Sequence, residues 1–208
     1  MSLRRYYYNT FSPIYDKFVA LHSGDHQNAL RSFLADMSEL TDNDKVLDIC
    51  TGTGTLLLYL RQKVGKNGLV VGVDFSRGML TKAQTKIEAY NNIALIESDA
   101  SSLPFKAKTF DAVTCSHAFY ELKGEIRDRV LEEIVRVVKP DKPFLMMEHD
   151  VPENFLIRIL FYIRIFSMGT KEGISILKHE IELLKRYFKS VKKIKTFTGK
   201  SKIIDCRN

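Results

Sequence analysis

The stretch VLDICTGTGTLLLYL, Val46 to Leu60, decides how the rest of the chain is read. A short apolar run closes on Asp48, Gly52 and Gly54 follow, and a second apolar run begins at once. A strand, a glycine turn and a helix in that order leave backbone N–H groups and one carboxylate at a concave edge, where nucleotide-like ligands dock in α/β proteins. The dinucleotide fingerprint G-x-G-x-x-G is met at only two glycines, because Leu57 stands at the third position. Asp74, where that pattern expects a ribose-binding acid, suits any adenosine-bearing ligand. Asp48 narrows the choice. A pyrophosphate beside it would set anion against anion in a half-dry cleft, whereas a cationic ligand would be attracted.

Working outward, strands alternate with helices. Lys45 to Ile49 reads as a strand and Thr55 to Lys63 as a helix. Leu69 to Val73 is a strand closed by Asp74, and Ser76 is an N-cap for a helix to about Tyr90. Ile93 to Glu97 and Phe110 to Cys115 are strands, Glu125 to Val138 a helix stopped by Pro140, and Pro143 to Glu148 a fifth strand. Upstream, Ser12 to Leu21 and His26 to Leu40 have helical spacing. Downstream, Phe155 to Met168 and Gly173 to Tyr187 read as helices. Val191 to Thr196 and Lys202 to Cys206 are strands joined at Gly199-Lys200, an antiparallel hairpin at a sheet edge. Apolar strands separated by helices imply a parallel sheet covered on both faces. Right-handed crossovers then align the loops after the strands along one edge. Asp48, Asp74, Asp99 and Ser116 all follow or close an expected strand, and that shared position carries more weight than any one of them.

The 208 residues suffice for one α/β domain with a full core, and 27% charged with 45% hydrophobic residues is an ordinary globular balance. No apolar run reaches the roughly 18 residues needed to span a bilayer, and the N-terminus has no secretory h-region. Cys50, Cys115 and Cys206 are odd in number and widely spaced, which fits reduced thiols in a cytoplasm and no metal site. The net charge of +7 is uneven: residues 1–150 hold 19 basic and 20 acidic side chains, residues 151–208 hold 13 and 5. A basic tail can meet nucleic acid, an anionic membrane or an acidic substrate, or serve solubility alone.

VLDICTGTGTL, VVGVDFSRGML, ESDASSLPFKAKTFDAV and VVKPDKPFLMMEHD, in that order and spacing, resemble the class I S-adenosylmethionine-dependent methyltransferases. Within these they look most like the type 11 group that includes the ubiquinone and menaquinone C-methyltransferases. The resemblance covers Val46 to Asp150. It implies a Rossmann-like, doubly wound, seven-stranded sheet, mostly parallel with an antiparallel C-terminal strand. It also implies an N-terminal helical lid over residues 1–41, a cofactor core over 42–150, and substrate-covering helices with a strand pair over 151–208. The cofactor implied, S-adenosyl-L-methionine, carries an ammonium and a sulfonium and no phosphate, as Asp48 favours.

Position by position, the resemblance assigns Asp48, Thr53, Gly52 and Gly54 to the methionine end and Asp74 to the ribose hydroxyls. Phe75 lies against the adenine, Asp99 and the Ala100 amide read its edge, and Ser116 lines the methionyl side. Cys50 departs from the family, many members of which have a glycine there, and its backbone is more restricted. Tyr6, Tyr7, Tyr8 and Phe11, followed by Tyr15-Asp16, form an aromatic segment of the kind that folds over the cofactor, and Tyr15 is a further candidate contact. The same aromatics also suit plain packing.

A sulfonium methyl is already activated, so the protein must align acceptor, methyl and sulfur and exclude water. Where the acceptor loses a proton, His117, Tyr120 and His149 are the candidate bases. A histidine at a strand end serves equally well as a structural hydrogen-bonding residue. Phe155 to Met168 is apolar almost all round, so it is buried or meets something oily. A small, lipophilic, quinone- or lipid-like acceptor would suit it, and so would peripheral membrane contact through 155–168 and the basic tail. Nucleic acid is not the expected partner, since no motif for holding a flipped base is present. An RNA methyltransferase and a non-catalytic cofactor-binding subunit stay open as alternatives.

Overall fold

The structure is a computed structural model. It describes residues 8–9, 29–151, 155–156, 158–159, 162 and 171–208, without the side chains of 171–174. The expected helix over Ser12 to Leu21 lies outside those residues, as do Tyr6, Tyr7, Phe11 and Tyr15. The elements are α1 (Ala29–Asp36), β1 (Lys45–Ile49), α2 (Thr55–Val64), β2 (Leu69–Asp74), α3 (Arg77–Ile87), β3 (Ile93–Glu97) and β4 (Ala112–Ser116). A single 3-10 turn (Phe119–Glu121) precedes α4 (Gly124–Val137), followed by β5 (Phe144–His149), α5 (Lys171–Leu184), β6 (Ser190–Lys195) and β7 (Ser201–Arg207).

One seven-stranded sheet runs in the order β3-β2-β1-β4-β5-β7-β6. β1 to β5 are mutually parallel, and β7 inserts antiparallel between β5 and β6. The strand order reverses between β1 and β4, so the loops after them diverge and leave a crevice at that point.

Strand alternation assigns the two faces. Leu47, Ile49, Val71, Val73 and Met146 build one core with α4 and α5, while Val46, Val70, Leu145 and Met147 build the other with α1 and α2. Asp48 shares the face of Val46, beneath α1.

The helix after β2 is capped as its sequence indicates, with the Ser76 hydroxyl accepting from the Met79 N–H at 3.3 Å. It stops at Ile87 instead of Tyr90. β4 begins at Ala112, not Phe110, because Asp111 turns aside to accept from the Lys45 N–H and the Lys139 ammonium. Phe110 keeps a single bridge to Val138. β5 is shifted one residue later than its apolar run, so His149 closes the strand and does not follow it.

Candidate functional site

A cleft of about 590 Å³ opens at the carboxyl ends of the parallel strands. One wall comes from the ends of β1, β2 and β3: Cys50, Gly52, Asp74, Phe75, Met79 and Glu97 to Ala100. The opposite wall comes from the segment after β4: His117, Ala118, Glu121, Leu122 and Ile126. Tyr8 closes the rim, its hydroxyl 2.6 Å from both oxygens of Glu121 and its ring edge-on to Phe75 at 5.9 Å. The neighbouring Asn9 binds the first wall, accepting from the Ser76 hydroxyl at 2.7 Å and the Gly78 N–H at 2.9 Å.

Asp74 organises the first wall. Its carboxylate accepts from the Gly52 N–H at 2.9 Å and the Ser76 N–H at 2.8 Å. A carboxylate has up to four acceptor sites, so it is a side chain that can take both hydroxyls of a vicinal diol, and Asp74 lines the cleft. The Gly52 N–H, which in a dinucleotide site would face pyrophosphate, is engaged by an acid of the chain itself. Asp99 both lines the cleft and closes a local turn, accepting from the Ser101 N–H at 2.9 Å and hydroxyl at 2.8 Å.

Asp48, Thr53 and Ser116 do not line the large cleft. They border an adjoining recess of about 30 Å³ with Arg31, Thr51 and Thr55, and Gly52 and Cys50 reach both spaces. Asp48 is buried and accepts from the Thr51 hydroxyl at 2.6 Å and the Thr114 hydroxyl at 2.7 Å. Burial pushes its carboxyl up to about 6 against the pull of those two hydroxyls. Thr53 accepts from the Lys86 ammonium at 3.0 Å, and Thr55 from the same group at 2.8 Å.

Gly54 lines neither space. With φ +74° it opens α2, and a Cβ there would lie 2.8 Å from the Ala83 Cβ, so its role is to let α2 and α3 close on each other. Cys50 sits at φ 52° and His117 at φ 52°, both in the left-handed region. The loop therefore takes the backbone shape a glycine would take, at a strain of order 1–3 kcal/mol for a residue with a Cβ.

Of the three candidate bases, only His117 lines the cleft. Its Nδ1 is 3.2 Å from the Ser116 hydroxyl and its Nε2 3.2 Å from the Ser201 hydroxyl. His149 lies behind it at 4.8 Å between ring centroids, and Tyr120 behind His149 at 5.7 Å. The rings form one packed group with His117 in front.

Arg31 was not found from the sequence. Its placement follows from the parity of β1, which turns Asp48 toward α1, and no local spacing reports that. Glu97 was findable, since it closes β3 as Asp74 closes β2. Glu121 belongs to a turn with no motif of its own.

The donor set can be tested against a ligand. Asp74, Glu97, Asp99 and Glu121 line the cleft, and among the described residues that line it none is Lys or Arg. Such a lining attracts a cation and repels a diphosphate. Arg31 and Asp48, one of each charge sign, both border the adjoining recess. These residues fit S-adenosylmethionine and not NAD. Among the described residues, no cluster of His, Cys, Asp and Glu could hold a metal ion, and no helix is long and apolar enough to cross a membrane.

Residues 46–141 match the family model described as "Methyltransferase domain". The chain is 36% identical over 151 residues to a demethylmenaquinone methyltransferase of Lactobacillus johnsonii, covering 71% of this chain and 61% of that protein. It is 35% identical over 142 residues to the chloroplastic 2-phytyl-1,4-beta-naphthoquinone methyltransferase of Arabidopsis thaliana, covering 66% and 54%. The chain thus spans less than two thirds of the length of these curated relatives. The fold matches a solved structure of a SAM-dependent methyltransferase from Aquifex aeolicus with TM-score 0.62 at 20% identity, over 85% of this chain and 88% of that one.

Proposed function

Because this chain belongs to the class I S-adenosylmethionine-dependent methyltransferases, we propose that it transfers a methyl group to a small, lipophilic, quinone-like acceptor. The observation that carries this reading is the contrast between the cleft's two walls. The wall from β1 to β3 is acidic and suits a positively charged donor, while Ala118, Leu122 and Ile126 give the other wall apolar surface for a flat hydrophobic ring. The names of the two relatives, both quinone methyltransferases, support the same acceptor class. An RNA substrate would bring phosphates to four carboxylates, which opposes the alternative prompted by the basic tail.

When bound, the donor supplies a methyl group already activated by the positive charge on sulfur. The chain's own residues do the rest. Asp74 accepts from the ribose hydroxyls, Phe75 and Ala100 pack the adenine, and Asp99 borders its edge. Arg31 and Asp48 take the carboxylate and ammonium of the methionine end, beside Thr53 and Ser116. Tyr8 closes the rim and excludes water. His117 takes the proton that the acceptor carbon gives up on methylation, once one of the two serine hydroxyls on its ring nitrogens yields its place, with Tyr120 and His149 packed near it to hold the ring. Phe155, Leu156 and Ile159 are exposed. With the Lys-rich tail they form the surface at which an acceptor dissolved in a membrane would be met.

The test is incubation of the pure protein with S-adenosylmethionine and a reduced, prenylated naphthoquinone, followed by mass spectrometry. The expected product carries one added methyl group, its yield is unchanged by nuclease, and His117→Ala lowers kcat by roughly 100-fold or more. Donor binding without turnover on any quinol would overturn the reading in favour of a non-catalytic subunit.

A further inference from the structure

Three ionisable side chains that the cleft does not use lie buried together on the α5 face of the sheet. Glu148 on β5, Glu180 on α5 and Lys202 on β7 are 0%, 2% and 2% exposed. Glu148 and Lys202 are direct partners in the β5–β7 register. Lys202 nevertheless turns to α5: its ammonium pairs with Glu180, donates to the Leu177 carbonyl at 3.2 Å, and lies 3.8 Å from Asp150. Among the described residues, no cation pairs with Glu148.

What Glu148 holds is backbone. Its Oε1 accepts from the N–H of Phe119 at 2.7 Å and, at 3.4 Å, from that of Tyr120, while Oε2 has no hydrogen-bond partner. These two amides open the 3-10 turn Phe119–Glu121, where no earlier carbonyl of the turn can take them. The turn delivers Glu121 and Leu122 to the cleft, on the wall opposite the glycine loop. A hydrocarbon at position 148 would fill the same space without the burial penalty of a carboxyl group. It would also leave two buried amides unsatisfied, at the start of the segment that forms this wall. The charged and titratable groups facing Glu148 are Glu180 from α5, Lys202 from β7, Glu121 from the turn and Cys115 from β4.

We propose that Glu148 is a positioning residue that fixes the far wall of the cleft by holding the amides of Phe119 and Tyr120. The proposal rests on the reading above that the acceptor lies against this wall. It makes Glu148 matter to the acceptor and not to the donor, although neither touches it.

The experiment compares wild type, Glu148→Leu and Glu148→Gln by three readouts: amide hydrogen exchange of residues 117–122, donor affinity by calorimetry, and KM for the reduced naphthoquinone. Glu148→Leu is expected to lose protection at Phe119 and Tyr120 and to raise the acceptor KM by about tenfold, with donor Kd within about twofold. Glu148→Gln, whose amide oxygen still accepts, restores both. Should Glu148→Leu fail to fold, Glu148→Asp, drawn back by one methylene, gives the same pattern at smaller amplitude. Unchanged exchange at 117–122, or donor Kd and acceptor KM worsening in parallel, would overturn the proposal. A wild type that methylates no quinol defeats the acceptor reading alone, because hydrogen exchange still decides what Glu148 holds.

Discussion

The two halves of the sheet spend their buried carboxyl groups differently. In the β1–β2 half, Asp48 and Asp74 bind hydroxyls and amides that belong mostly to the same glycine loop and helix cap. In the β5–β7 half, Glu148 and Glu180 bind groups far along the chain: the Phe119 amide 29 positions away and the Lys202 ammonium 22 positions away. The first arrangement makes a polar edge open to a ligand. The second makes a closed charged layer beneath helix α5, which aims a wall without touching anything bound there. A carboxylate near a cleft is therefore not by itself a site residue. What separates the two classes is whether its remaining lone pairs face space or protein.

The sharpest way to break this comparison is to remove the buried cation Lys202 from the closed layer. Lys202→Ala leaves Glu180 buried without its partner and is expected to destabilise the fold by about 3–5 kcal/mol. The double variant Lys202→Met with Glu180→Leu recovers most of that loss, as read by urea denaturation. Equal loss in both would mean the layer is held by shape and not by charge.

On the open edge, Asp74→Ala is expected to weaken donor binding by about 100-fold, roughly 2–3 kcal/mol, and to lower the melting temperature by only a few degrees through the Gly52 and Ser76 amides it leaves unpaired. Calorimetry against S-adenosylmethionine checks it. Loss of fold instead of affinity would make Asp74 a structural acid like Glu180.

Titration distinguishes the halves next. Burial first, then the charge of Glu180, pushes the Glu148 carboxyl up to about 8. A raised folded pKa means that the folded state holds the proton more tightly. Its stabilising contribution is complete below the ordinary carboxylate range and is lost as pH rises toward 8. Melting temperatures of the wild type should fall from pH 5 to pH 8, and Glu148→Gln should flatten that decline. Asp48, pushed up only to about 6, completes its smaller share at lower pH.

The smallest effect concerns the loop itself. Cys50→Gly removes a side chain from a left-handed backbone but adds freedom to the unfolded chain, and these nearly offset. Its stability should stay within about 1 kcal/mol of wild type, while Cys50→Val, β-branched at positive φ, should lose about 2 kcal/mol or more. Thermal melts of the pair decide it.

How much of this was legible in the sequence follows the same division. The strand ends at Ile49, just past Asp48, and at Asp74, the Ser76 cap and the terminal hairpin are written in spacings of a few residues, and the structure places them there. The β5–β7 contacts are not, because β7 reaches β5 only by inserting ahead of β6, and no local pattern announces that Lys202 will face Glu180 and leave Glu148 unpaired. Arg31 escaped for a related reason: its approach to Asp48 depends on which face one strand residue takes. Gly54 looked like a ligand contact because motifs record position, whereas its constraint is the nearness of Ala83. Of His117, Tyr120 and His149, strand-end position alone could not say which ring stands in front.

Two adjacent residues, Tyr8 and Asn9, grip opposite banks of the crevice, one at Glu121 and the other at Ser76 and Gly78. One short piece of backbone therefore ties together two walls that belong to different halves of the sheet. The spacing between those walls is set from outside the sheet as well as by the strands beneath them.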